Sequence, residues 1–280
     1  MQITGLNVHP VKSTAQRPVG TARVLRAGLE SDREWVVVDG DGVMVSAREL
    51  PSLFSVTADT PATAAGLEVP LRLRAPGQED LLLGLPSGDP EPFHLFRNEL
   101  TGVRVGPVAD DWLRAATGRD DLRLLWCHDP AARAVKTPPG APGDSMRFPD
   151  AYPVTIGSEA SLRQLQAWVD EVAAGRGEAP VPLTMRRFRP NIVVDGDEPF
   201  AEDGWVRLTI GDVRLRVVKP VARCVMTTID PHTLSRGHEP VRTLARHRLD
   251  GSKTLFCVHA VVESEGAVAV GDELIATSRH

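Results

Sequence analysis

Tyrosine is nearly missing from this chain of 280 residues, which holds one, and aromatic residues make up only 5%. Its core must therefore be largely aliphatic. The 24 glycines and 23 prolines favour many short strands and turns over long helices. Cysteine is scarce and odd in number. Cys127, Cys224 and Cys257 stand far apart, which fits a reducing compartment better than a disulfide framework. No run approaches the roughly 18 apolar residues that a spanning helix requires. The stretch from Met1 to Lys12 lacks a signal-peptide pattern. These absences set the expectation of a soluble, cytoplasmic protein without membrane contact. Positive charge is not in excess either: a net charge of −5 argues against broad nucleic-acid binding. The histidines show no HExxH spacing, and there is no P-loop, GxGxxG or GxSxG. No C-x4-C-x2-C pattern occurs, so the chain has no visible electron-transfer cluster of its own.

What is present centres on Arg186 to Asp230. Two alternating apolar runs, Trp205 to Ile210 and Val213 to Val218, flank Gly211-Asp212, a tight-hairpin signal. Folding that hairpin can bring Arg189 close to Cys224. Elsewhere the alternation predicts strands at Ile3–Val11, Ala22–Ala27, Glu34–Asp39, Val43–Ser46, Leu53–Thr57, Val69–Arg74, Leu81–Leu85, Pro92–Leu95, Val103–Val105 and Leu122–Cys127. Later strands are expected at Pro153–Ile156, Leu255–Val262, Ala267–Val270 and Glu273–Ala276. A helix is predicted over Asp110–Thr117, capped by Asp110 or Asp111 and ended by Gly118. Leu162, Leu165, Val169 and Val172 recur at three- and four-residue spacing, the stripe of an amphipathic helix that starts at Ser158 or Ser161. A helical turn is expected at Val241–His247. The loop 129–150 is rich in proline and carries three basic residues, the marks of a functional loop or a linker. The pattern as a whole is a β-rich, mixed α+β fold with few helices, closed into barrels.

Chemistry concentrates at a few positions. Cys224 has Arg223 beside it and Thr227, Thr228 and Asp230 just beyond. A neighbouring cation favours the thiolate, which is both nucleophile and metal ligand, and soft thiolates suit soft or high-valent metals. The alternative is a small buried side chain, the reading that Cys127 and Cys257 invite from their apolar surroundings. Arg189, between Phe188 and Pro190, offers the fork that grips phosphate. Lys12 and Ser13 offer an ammonium and a hydroxyl to an anion. Asp32-Arg33 is similar, with a local ion pair of little worth as the alternative. Asp230 is a candidate general acid.

Eight segments in order carry a resemblance: His9–Ser13 (HPVKS), Ser31–Trp35 (SDREW), Val45–Leu50 (VSAREL), Gly157–Leu162 (GSEASL), Phe188–Val194 (FRPNIVV), Phe200–Trp205 (FAEDGW), Ile210–Leu215 (IGDVRL) and Ala222–Pro231 (ARCVMTTIDP). Together they resemble the MOSC family, the molybdenum cofactor sulfurase C-terminal domain proteins. The likeness is to two-part members with a β-barrel N-terminal MOSC domain, the branch that reduces amidoximes. The resemblance implies a smaller β-rich N-terminal domain over 1–128, a linker loop over 129–150 and a β-barrel MOSC domain over 151–280. It implies the molybdenum cofactor, a molybdopterin with Cys224 as its protein thiolate on the metal. Lys12, Ser13, Arg33, Ser158, Arg189, Ala222 and Arg223 match the positions that hold the pterin and its phosphate. His9 and Thr14 depart from the tyrosine and cysteine common around that first motif. The implied activity is reduction of N-hydroxylated small molecules (amidoximes, hydroxylamines, N-hydroxylated bases). Electrons would come from a separate flavin or iron–sulfur donor protein. The alternative is a carrier of molybdenum cofactor or sulfur without turnover.

Overall fold

Strand pairing in the computed structural model, which describes residues 1–136 and 139–278, follows most of the alternation read from the sequence. The chain is β-rich, with three α-helices among the described residues. None of these helices is long and apolar enough to cross a membrane. Contacts divide the chain into two compact units. One comprises Met1–Asn7, Gly20–Arg26 and Tyr152–His280; the other comprises Val8–Val19 and Ala27–Ala151. This partition interleaves segments that the sequence reading set end to end as 1–128, 129–150 and 151–280. Part of the expected linker, residues 137 and 138, lies outside the described residues, as do 279 and 280.

In the first unit the spine is the long strand Lys253–Ser264, paired antiparallel with Val213–Arg223 on one side and Val154–Ser158 on the other. Val154–Ser158 pairs parallel with Ile192–Val194, which pairs antiparallel with Ile3–Val8. Beyond Val213–Arg223 lie Trp205–Ile210 and then Ile275–Ser278. The two ends of this ladder are tied to each other. Gln2 bridges Glu273, Ile3 N donates to Asp272 O at 2.9 Å, and Leu274 N donates to Met1 O at 2.8 Å. That seam supplies backbone bonds of the kind a closed barrel needs. The Gly211-Asp212 hairpin forms as expected, with Ile210 opposite Val213. Its second strand does not stop at Pro220 but runs to Arg223. Register shifts on both sides of Pro220 absorb the missing amide.

Helix Glu159–Ala174 lays Leu165 and Val169 on this unit, where they meet Phe188, Val221, Leu244, Phe256 and Cys257. Leu244 comes from helix Val241–His247. Each such side chain, fully buried, contributes roughly 1.5–3 kcal/mol of transfer free energy. Close packing leaves Gly157 little room. A Cβ there would sit 2.9 Å from Met185 Sδ and 3.1 Å from Cys257 Sγ. Met185 can swing away, but the Cys257 side chain is short and buried. Gly157→Ala is therefore expected to cost about 1–3 kcal/mol in denaturant titration, the range for overpacking a filled core. A variant as stable as the native chain would show that this contact gives way freely.

In the second unit Trp35–Val38, Arg123–Trp126, Asn98–Arg104 and Pro90–Leu95 form an antiparallel sheet. Its core joins Val36, Val38, Phe93, Leu95 and Leu125 to Cys127 and Phe148. A smaller sheet holds Thr57–Asp59, Leu71–Arg74 and Leu81–Leu83. Three expectations need correction here. Leu53–Thr57 is not one strand, because Pro51–Ser55 winds into a 3-10 turn before the chain extends. Val43–Ser46 makes only isolated bridges, from Val43 to His94 and from Met44 to Val38. Helix Pro107–Thr117 starts earlier than predicted, after Gly106, with Pro107 supplying the pre-set first turn. Gly118 ends it in the left-handed conformation, as read. Asp110 does not cap it; its carboxylate bonds Arg104 Nη2 at 2.5 Å.

Candidate cofactor site

Each unit gathers its own set of candidate residues. In the second unit, three segments lace together around the motif His9–Ser13. Lys12 N donates to Trp35 O at 2.8 Å, Arg33 N to His9 O at 2.8 Å, and Phe148 N to Arg33 O at 3.1 Å. The lacing brings Lys12, Ser13 and Arg33 into one neighbourhood. Ser13 and Arg33 both hold left-handed backbone, at φ 69° and 48°. Non-glycine residues held there cost on the order of 1–3 kcal/mol and persist only where surroundings fix them, often at binding sites.

In the Asp32-Arg33 pair the carboxylate is buried and the arginine half-buried. Arg33 Nη1 donates to Asp32 Oδ2 at 2.5 Å, and the other carboxylate oxygen accepts from His9 N at 2.9 Å and faces His9 Nδ1 at 3.3 Å. Burial would raise the Asp32 carboxyl, but Arg33 and His9 outweigh it and hold it well below the usual range. Lys12 is also buried, with Nζ donating to Phe148 O at 2.9 Å and paired with Asp150. Burial pulls its ammonium down to about 8, against the opposing pull of Asp150. Two further cations complete the cluster. Arg48 Nη2 reaches Asp150 Oδ2 at 3.3 Å, and Arg133 Nη1 donates to the carbonyls of Arg147 and Pro149 at 2.7 Å. Four cations thus surround two carboxylates, a surplus that suits an anion. Sequence reasoning missed Arg48, Arg133 and Asp150 as site residues, although Arg48 lies in the VSAREL segment and the other two in the basic loop.

In the first unit the turn Met185–Phe188 leads into Arg189, half-buried and left-handed at φ 52° and ψ 44°. Pro190 and Asn191 set the path of the chain beyond it. The Asn191 side chain accepts from Thr155 N at 3.0 Å and donates to Asn7 O at 3.2 Å, joining two strands. Arg223 braces this turn from the other side. Its Nη1 donates to Phe188 O at 3.0 Å and its Nε to Phe256 O at 2.7 Å. One bond therefore links the residue before Arg189 to the residue before Cys224. A second link runs from Arg187 Nη2 to Asp230 Oδ2 at 2.7 Å.

Cys224 itself is exposed and carries a free thiol, at the start of the turn Val225–Thr228. Thr227 Oγ1 donates to Cys224 O at 3.0 Å and Thr228 Oγ1 to Val225 O at 2.7 Å, so both hydroxyls support the loop. Ala222 is exposed beside it. Cys127 and Cys257 are buried, and burial pushes both thiols up to about 12. Ser158 is buried at the start of helix Glu159–Ala174, its hydroxyl donating to Asp195 O at 3.1 Å. That bond commits its one hydroxyl proton to Asp195 rather than to a ligand. Asp230 does not suit a general acid. The amides of Thr233 and His232, and then Arg187, hold its carboxyl below the usual range. Among the described residues no cluster of three or more His, Cys, Asp or Glu side chains could hold a metal ion.

Two family models match along the chain. A MOSC domain model matches residues 143–275, and a model described as the MOSC N-terminal beta barrel domain matches residues 1–120. Human mitochondrial amidoxime-reducing component 1 is 34% identical over 293 residues, covering 96% of this chain and 81% of that protein. Bovine mitochondrial amidoxime reducing component 2 is 32% identical, with 96% and 81% covered. The zebrafish component 1 is 32% identical, with 96% and 83% covered. At that likeness over nearly its full length, the chain belongs to the MOSC family, in the two-part form that joins a MOSC N-terminal domain to a MOSC domain.

Proposed function

We propose that this protein is a molybdenum-cofactor-dependent oxidoreductase that reduces N-hydroxylated compounds with electrons from a separate donor protein. The observation that carries the reading is Cys224: an exposed thiol on a braced loop, in a chain similar to proteins named amidoxime-reducing components. The residues present fit the cofactor. A lone accessible thiolate suits molybdenum. The surplus of cations around Lys12 and Arg33 suits a phosphate, each charge-assisted bond contributing about 1.5–3 kcal/mol. The left-handed Ser13, Arg33 and Arg189 are held in place by their neighbours, as preorganised contacts require.

Bound there, the cofactor supplies two-electron removal of an oxygen atom, so that N–OH plus two electrons and two protons gives N–H and water. The chain's own part is to hold and orient. Cys224 offers its sulfur. Arg223, by gripping Phe188 O and Phe256 O, fixes the loop that presents it. Lys12 and Arg33 offer charge to the phosphate, and Asp32 keeps Arg33 aimed. The test is elemental analysis of the purified holoprotein together with benzamidoxime reduction by a chemically reduced dye. Molybdenum near one atom per chain with turnover to benzamidine is the expected result. Bound molybdenum that passes to an apo-acceptor with no turnover would replace the enzyme with a carrier.

A further inference from the structure

The cation cluster of the second unit contains one carboxylate for which binding an anion gives no obvious use. Asp150 is 52% exposed, yet one of its oxygens pairs with Lys12 Nζ and the other with Arg48 Nη2. Of the three donors on the Lys12 ammonium, Asp150 and Phe148 O take two, which leaves a third for a ligand. Arg33 and Arg133 also act on Lys12, both with charge of its own sign. Arg133 meanwhile holds the carbonyls of Arg147, Pro149 and Asp150, which fixes the segment carrying the carboxylate. A buried ammonium beside two guanidinium groups is in the surroundings where lysine gives up its proton. Asp150 opposes that, through its charge and its hydrogen bond to the ammonium.

We infer that Asp150 is a positioning residue, which keeps Lys12 charged and holds Lys12 and Arg48 side by side for one anionic group of the cofactor. This rests on the proposed cofactor reading. Burial already takes Lys12 down to about 8 with Asp150 in place. Without the carboxylate, burial and the two like charges act with less opposition, and the lysine loses its charge at lower pH.

The chain offers a direct readout, because it holds only four lysines: Lys12, Lys136, Lys219 and Lys253. In holoprotein labelled with 13C at lysine, each side chain can be titrated separately, with Lys12→Arg giving the assignment. Asp150→Asn is expected to lower the Lys12 midpoint by about one pH unit or more, a tenfold shift in the protonation equilibrium, and to leave the other three unmoved. The alkaline limb of benzamidoxime reduction should move down by the same amount. Arginine at position 12 in the Asp150→Asn background, being permanently charged, should restore it, an outcome that a purely structural defect would not give. An unmoved Lys12 midpoint overturns the inference outright. A shifted midpoint with an unmoved activity limb overturns the cofactor role of Lys12 while leaving its coupling to Asp150. Absence of turnover in the native protein defeats the proposed function separately, and the lysine titration still decides the coupling.

Discussion

Cys224→Ala should abolish benzamidoxime reduction while leaving the fold in place. Even supporting groups around a metal cost 10–100-fold when changed, so losing the lone thiolate should cost on the order of a hundredfold or more in turnover. The side chain is exposed, so its removal should alter unfolding free energy by no more than about 0.5 kcal/mol. Matched elemental analysis and denaturation curves for native and variant protein check both halves. Cys127 and Cys257 serve as internal controls, since both thiols are buried in the cores of their units. A Cys224→Ala protein that retains full activity would remove the metal-ligand assignment.

Asp32→Ala should produce the largest loss of stability. The substitution takes an acceptor from Arg33 Nη1 and from the His9 amide, both bonded to a carboxylate that is 3% exposed. Breaking a buried pair by removing one partner costs up to about 3–5 kcal/mol. The sign of its pH dependence follows from the depressed carboxyl. Its stabilisation is complete above the ordinary aspartate value near about 4, and is lost as pH falls below that toward the folded value. Urea midpoints taken at pH 7 and between pH 4 and 2 check this. The native chain should weaken on acidification more steeply than the variant. A midpoint difference at pH 7 worth less than about 1 kcal/mol would overturn this assignment of stability to the Asp32 carboxylate.

Much of the architecture could be read from alternation and turn chemistry. The Gly211-Asp212 hairpin, the stripe of helix Glu159–Ala174 and the left-handed stop at Gly118 all rest on local rules that tertiary packing did not override. The misreadings share a cause. Leu53–Thr57 has the apolar content of a strand, but Pro51 starts a turn and the buried Leu53 and Phe54 are reached by a 3-10 turn. Val43–Ser46 alternates, yet its neighbours pair with other strands along most of their length. The interleaving of the two units has no local signature at all, since it depends on which distant strand claims residues 3–8.

The site shows the same division. Motif order marked Cys224, Arg189, Lys12 and Arg33 as candidates. Their partners were invisible because they come from elsewhere in the chain: Phe256 for Arg223, and Phe148 and Asp150 for Lys12. That the Asp32 carboxylate is buried is likewise something no sequence prints.

The pairing of Ile3 with Val194 has a consequence for biosynthesis. The strand Ile3–Val8 leaves the ribosome roughly 190 residues ahead of this sheet partner, which at 5–20 residues per second is a wait of about 10–40 s. Throughout that interval its apolar face, with Ile3, Leu6 and Val8, lacks its eventual neighbour Ile192–Val194. A chain laid out this way favours late, slow closure of its sheet and a need for protection of that strand while it waits.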